Sequence, residues 1–144
     1  MSFSIFIPDT SVIIKWFKEK DEEYVSEAKL LKEQYFSGKI SIILLDLCIY
    51  EFGNILRLKS KLPKEIAAKK LIDFWFLDLP VVYIDQEMSH KAMNIAYDYN
   101  LTFYDASFIA FAQSLGCNFI TADKKLYEKI KDVSNIVFLG NFFT

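Results

Sequence analysis

Glycine and proline are scarce in this chain, 4 and 3 residues out of 144. So few turn-formers leave little room for long loops or linkers. No internal repeat or low-complexity run marks a boundary either, so residues 1–144 read as a single domain. Cysteine is rarer still. Cys48 and Cys117 stand far apart in apolar surroundings with no CxxC pairing, which favours two reduced, buried thiols over a disulfide. No apolar run approaches the ~20 residues of a membrane span. Pro8 and Asp9 break the first hydrophobic stretch, where a secretory signal would need continuity. The expectation is a soluble, cytoplasmic protein without membrane contact. Basic excess is missing as well. The net charge is −2 and Arg57 is the lone arginine among 17 basic residues, so there is no bulk electrostatic signature of nucleic-acid binding. The one histidine, His90, lies on an amphipathic stretch and reads as a surface or packing residue.

Apolar material, by contrast, is plentiful. At 53% hydrophobic and 17% aromatic, the chain can build a full core and is not disordered. Short, nearly continuous apolar runs at Phe3–Ile7, Ile40–Leu45, Val81–Ile84, Asn118–Thr121 and Ile136–Leu139 read as strands covered on both faces. Helical patterns fill the gaps: Ser11–Lys18, Glu22–Phe36, Leu47–Lys59, Lys64–Leu77, Gln86–Tyr99, Tyr104–Leu115 and Lys124–Lys131. Pro63 before one helix, and Gly38 and Gly116 after two others, punctuate this pattern. Such alternation predicts an α/β sandwich around a parallel sheet, whose ligands bind at the carboxyl ends of the strands.

Four carboxylates then stand out. Asp9 directly follows the first strand, and Asp123 follows the strand ending near Thr121. At about 100° per residue, Glu51 falls on the inward arc of Leu47, Cys48, Phe52, Ile55, Leu56 and Leu58. Asp105 shares an inward face with Phe108, Ile109 and Ala112, leaving Ser107, Phe111 and Ser114 expected to face outward. Each has a plainer reading. Asp9 and Asp123 can cap helices, Asp105 complements a helix dipole, and Glu51 could pair with a distant lysine. If the four converge, they cannot all stay ionised without a counter-charge. An all-oxygen donor set suits Mg²⁺ or Mn²⁺ and not Zn²⁺. A metal held this way can activate water against a phosphodiester. Thr10 and Ser11 could add hydroxyl or backbone N–H groups for a phosphate.

DTS after the first strand, YExxN on a mid-chain helix, FYDASFIAFA and TADKKL occur in that order. Together they resemble the PIN-domain family, and most closely its compact VapC-type ribonuclease toxins. The resemblance covers nearly the whole chain. It implies a three-layer α/β/α sandwich around a parallel five-stranded sheet, with Asp9, Glu51, Asp105 and Asp123 as the catalytic metal-binding acids. Thr10, Ser11, Asn54 and Thr121 fall where family members place supporting polar groups. The implied activity is Mg²⁺- or Mn²⁺-dependent RNA cleavage leaving a 5′-phosphate and a 3′-hydroxyl. The implied partners are a cognate antitoxin and a second copy of the chain. Lys124, Lys125 and Tyr127 follow Asp123 where some relatives carry another acid, which would weaken a second metal position.

Outside these motifs, Arg57, Lys59, Lys61 and Lys64 form a local basic cluster, and the first three are candidate RNA contacts. KKLIDFWFLDL is too apolar for a helix with one wet face, so Phe74, Trp75 and Phe76, with Trp16 and Phe17, are candidates for a partner interface. Two other functions are open. An aspartyl phosphohydrolase of the haloacid dehalogenase type also places Asp after the first strand, but it needs DxD and Ser11 stands at the second Asp. A catalytically silent binding module is the other.

Overall fold

The computed structural model describes residues 4–143; Phe3, which opens the first expected strand, lies outside them. In chain order the elements begin with β1 (Ile5–Pro8), α1 (Thr10–Ile13, tightening into a 3₁₀ turn over 14–16) and α2 (Val25–Phe36). Next come β2 (Ser41–Ile42), β3 (Leu44–Leu45), α3 (Leu47–Asn54, widening into a π-helical turn over Ile55–Lys59) and α4 (Lys64–Phe76). The chain continues through β4 (Val81–Val82), α5 (Gln86–Tyr99), α6 (Phe103–Leu115), β5 (Asn118–Thr121), α7 (Lys124–Ile130) and β6 (Ile136–Phe138).

Every ladder is parallel, and the helices flank the sheet as the alternation predicts. The sheet itself differs from the expected five strands. Four of them pair in the order β2-β1-β5-β6, while β3 and β4 form a separate two-stranded ladder. The expected strand Ile40–Leu45 divides at Ile43. Up to that point it pairs with β1, the Ile43 amide still donating to Phe6 O at 3.1 Å; Leu44 then donates to Pro80 O at 2.8 Å. One apolar run thus serves two neighbours in succession, which no periodicity in the sequence reveals.

β1 and β5 form the middle of the sheet and are buried almost throughout. Helix α6 packs on both of them and on α5. Its contact with α5 is made by Ala92, Ala96, Ala106 and Ala110, small residues that let two backbones approach closely. Covered on both sides, α6 has no wet face along its middle. Ser107 and Phe111, expected to face outward, are both buried. Ser107 satisfies its hydroxyl by donating to Phe103 O at 2.7 Å.

Two other boundaries shift for backbone reasons. α2 begins at Val25 and not at Glu22, because Tyr24 adopts a left-handed conformation (φ 59°). The π-helical turn after α3 breaks the 100° spacing. Leu58, expected inward, is 57% exposed, whereas Leu56 remains buried. Gly116 ends α6 in the left-handed conformation (φ 66°) that favours glycine there.

Candidate active site

The parallel pairing of β1 with β5 brings two of the acids to one edge. Pro8 is in register with Ile120, and the Asp9 amide donates to Ile120 O at 3.1 Å. Asp9 leaves the strand extended and caps α1 by accepting from the Ser11 amide at 3.1 Å. Its side chain does more than cap. Asp9 Oδ1 also accepts from the Ser11 hydroxyl, and Oδ2 accepts from Thr121 Oγ1 at 2.6 Å. The two hydroxyls in turn accept from the next loop: Ser11 Oγ from the Ala122 amide at 2.9 Å, and Thr121 Oγ1 from the Asp123 amide at 3.0 Å. A closed network therefore ties the β1–α1 turn to the β5–α7 turn with the Asp9 carboxylate at its centre.

The other acids arrive from helices. Thr10, buried beside Asp9, donates to Glu51 Oε1 at 2.7 Å and so links α1 to α3. Asp105 lies in the first turn of α6, where its amide donates to Thr102 Oγ1 at 3.1 Å. Asp123 is exposed and caps α7 through the Leu126 amide at 3.1 Å.

Electrostatics shows that these groups share a neighbourhood. Burial raises the Asp9 carboxyl to about 7; the hydrogen bonds from Ser11 and Thr121 oppose this, and the charges of Asp105 and Asp123 add to it. Burial likewise raises Glu51, helped by the Asp105 charge and opposed by Thr10 and Lys59. Asp105 is raised by burial and by Asp123, against Thr102 and Lys129. Among the described residues, none of the four acids forms an ion pair with a basic side chain.

The donor set is therefore all oxygen, acidic and without an ion-paired basic side chain, which fits a hard divalent cation. Cys48, buried nearby, is pushed up to about 12 by its burial and stays a neutral thiol, so it supplies no thiolate. Both cysteines are free and buried. As placed, however, no three His, Cys, Asp or Glu side chains among the described residues surround a common point closely enough to hold an ion.

The remaining candidates are scattered. Asn54 is exposed one turn after Glu51 and lines the same cleft. Arg57, Lys59 and Lys61 are exposed on and after the π-helical turn, and only the Lys59 charge reaches Glu51. Of the five aromatic candidates, three turn inward. Trp16 is half-buried with Nε1 donating to Ala28 O at 2.7 Å, and Phe17 packs at 5.0 Å from Phe52 and 6.3 Å from Phe74. Phe74 itself is core, and only Trp75 and Phe76, at 56% and 81% exposed, face outward. His90 is on the surface.

Lys15 went unmarked by the sequence. It is buried, paired with Glu22 at 2.9 Å, and lines a cleft that also includes Asp123. The pair is seven positions apart with left-handed backbone at Asp21 between them, so no continuous helix announces it. Tyr50 and Tyr104, each directly before a site acid, were visible but carried no assigned role.

Comparison with known proteins agrees with this fold. The PIN domain family model matches residues 6–132. Ribonuclease VapC3 of Pyrobaculum aerophilum is 32% identical over 89 residues, covering 59% of this chain and 68% of the relative. Exonuclease VapC9 of the same organism is 28% identical over 127 residues, covering 79% and 90%. The DNA-bound VapBC structure from Salmonella typhimurium superimposes with a TM-score of 0.67 at 15% identity, over 95% of this chain and 97% of that one, which speaks for the fold. With a parallel sheet flanked by helices and an acidic edge reached from β1, α3, α6 and β5, the chain belongs to the PIN domain family and is of the VapC type.

Proposed function

We propose that this chain is a divalent-metal-dependent endoribonuclease and the toxin of a toxin–antitoxin pair. The observation that carries the reading is the Asp9 network: a buried carboxylate held by Ser11 and Thr121, coupled to Asp105 and Asp123, with no cationic partner among the described residues. Burial of an acid without a counter-charge is costly even when it is hydrogen-bonded, and a bound cation would offset that cost. The similarity to proteins named ribonuclease and exonuclease supports the same class of chemistry.

Asp9, Glu51, Asp105 and Asp123 would hold Mg²⁺ or Mn²⁺. Such a cation supplies Lewis-acid activation of water and stabilises charge on a phosphodiester. The protein's part is positional. Ser11 and Thr121 fix both oxygens of Asp9, and Thr10 fixes one oxygen of Glu51. Asp123, held by its amide and by its cap, stays at the open edge where a phosphate can reach. The products would be a 5′-phosphate and a 3′-hydroxyl. For partners, the solved VapBC and toxin–antitoxin complexes that share this fold point to an antitoxin. Exposed Trp75 and Phe76 offer apolar anchors for it or for a second copy.

The test is cleavage of labelled single-stranded RNA by purified protein with Mn²⁺, with Mg²⁺, with EDTA, and with Asp9→Asn. Product that requires the metal and Asp9 supports the reading; product that survives in Asp9→Asn defeats it. One observation favours a second reading, a binding module without turnover, because the acids do not close around a point as placed. That module would bind a partner, hold no metal and cleave nothing.

A further inference from the structure

Two tyrosines at the acidic edge have no role in metal binding. Tyr50 immediately precedes Glu51 and Tyr104 immediately precedes Asp105, so each lies about 100° around its helix from a site acid, at the rim. They are 70% and 60% exposed, and among the described residues neither ring pairs with another aromatic. Both line a cleft of about 460 Å³ together with Glu51 and Asn54. Both also line a smaller cleft of about 180 Å³ whose other walls include Leu45, Ile84 and Phe103. The carboxylate cleft and an apolar slot therefore share their two aromatic walls.

We infer that Tyr50 and Tyr104 form a stacking slot for an unpaired nucleobase next to the scissile phosphate. The inference rests on the nuclease reading and deepens it. Continuity with the acidic cleft sets the occupant: a strand whose phosphate lies at Glu51 has its adjoining base at the slot. Electrostatics points the same way. The chain carries a net charge of −2, and of the basic residues only Lys59 and Lys129 are felt by Glu51 or Asp105. At this part of the edge few basic groups face a phosphate, and stacking, which every base can provide, adds affinity there. In a duplex the base faces are hidden inside the stack and cannot enter the slot.

The experiment compares wild type with Tyr50→Ala, Tyr104→Ala, Tyr50→Phe and Tyr104→Phe. Two readouts are used: kcat and KM with Mn²⁺ on a labelled RNA strand, alone and annealed to its complement, and anisotropy of the same strand in EDTA. Loss of one stack raises KM by about 10-fold, within a range of roughly 5- to 150-fold, and leaves kcat essentially unchanged. Phe, which keeps the ring, restores wild-type KM, and the annealed strand is cut poorly by all. Unchanged KM in the Ala variants, Phe variants as poor as Ala, or equal cutting of the duplex would overturn the slot. So would Ala variants that keep KM but shift the oligomeric state, because the cleft would then be a protein interface. If the wild type shows no metal-dependent cleavage, the nuclease reading falls on its own. Anisotropy then decides the slot: tyrosine-dependent binding of the single strand keeps it, and no such binding removes it.

Discussion

Asp9 shows how a single residue can be set against the stability of its own fold. Its carboxyl titrates near 7 in the folded chain and near 3.8 when free of it. Between those values the folded state holds a proton that the unfolded state has lost, so stability falls as pH rises from about 4 to about 7. For this one group the slope reaches ~1.4 kcal/mol per pH unit, and the raised Glu51 and Asp105 act in the same direction. The metal-free protein should therefore melt at a higher temperature near pH 5 than near pH 7.5. Asp9→Asn should flatten that difference and raise the melting temperature at the higher pH, while abolishing cleavage. Melts in EDTA that show equal pH slopes for the two proteins would refute this. Thr121 offers a second test. Its hydroxyl serves Asp9 and the Asp123 amide from a fully buried position. Thr121→Val should cost ~1–3 kcal/mol in denaturant unfolding by leaving both partners unsatisfied. Thr121→Ser should recover most of that loss.

At the scale of elements, the turn after α3 separates two leucines. Leu56 is buried and Leu58 mostly exposed, two positions apart and so on nearly opposite sides of the helix. Leu56→Ala should cost ~2–5 kcal/mol. Leu58→Ala should stay within ~0.5 kcal/mol. Equal costs measured by chemical denaturation would mean that Leu58 is as buried in solution as Leu56. The α5–α6 contact makes a complementary point. Ala92, Ala96, Ala106 and Ala110 allow close approach, and α6 carries Asp105 at its start. Ala110→Leu should push α5 off α6 at a cost of ~1–3 kcal/mol.

At the scale of the whole molecule, a cation would act as a stabilising ligand. An acidic edge assembled from β1, α3, α6 and β5 exists only in the folded chain, so Mg²⁺ or Mn²⁺ held there would bind the native state preferentially. Saturation at about a hundred times Kd adds ~2.7 kcal/mol. Adding Mn²⁺ near pH 7.5 should therefore raise the melting temperature, EDTA should reverse it, and Asp9→Asn should abolish the response. A melting temperature indifferent to Mn²⁺ would count against a metal site. No helix among the described residues is long and apolar enough to cross a membrane.

What the sequence determined by itself was local. Strand and helix alternation, Asp9 and Asp123 after apolar strands, Glu51 on an inward arc and Gly116 at a helix end follow from patterns within one or two turns of chain. Hydrophobic periodicity and backbone chemistry act over that range. The order of four motifs went further and indicated the family. Other features were left to tertiary structure because they depend on what lies across from a residue. Ile40–Leu45 splits because β1 and β4 claim successive parts of it. Phe111 is buried because it packs into the main core, apart from the alanine contact with α5. Phe74, Trp16 and Phe17 are internal because α4 and α1 fold against the same core. The coupling of Asp9 to Asp105 and Asp123, and the bonds of Ser11 and Thr121 that hold it, join residues up to 112 positions apart. Hydrogen bonds and charge–charge coupling act over a few ångströms of space. Only the folded chain brings those ångströms about.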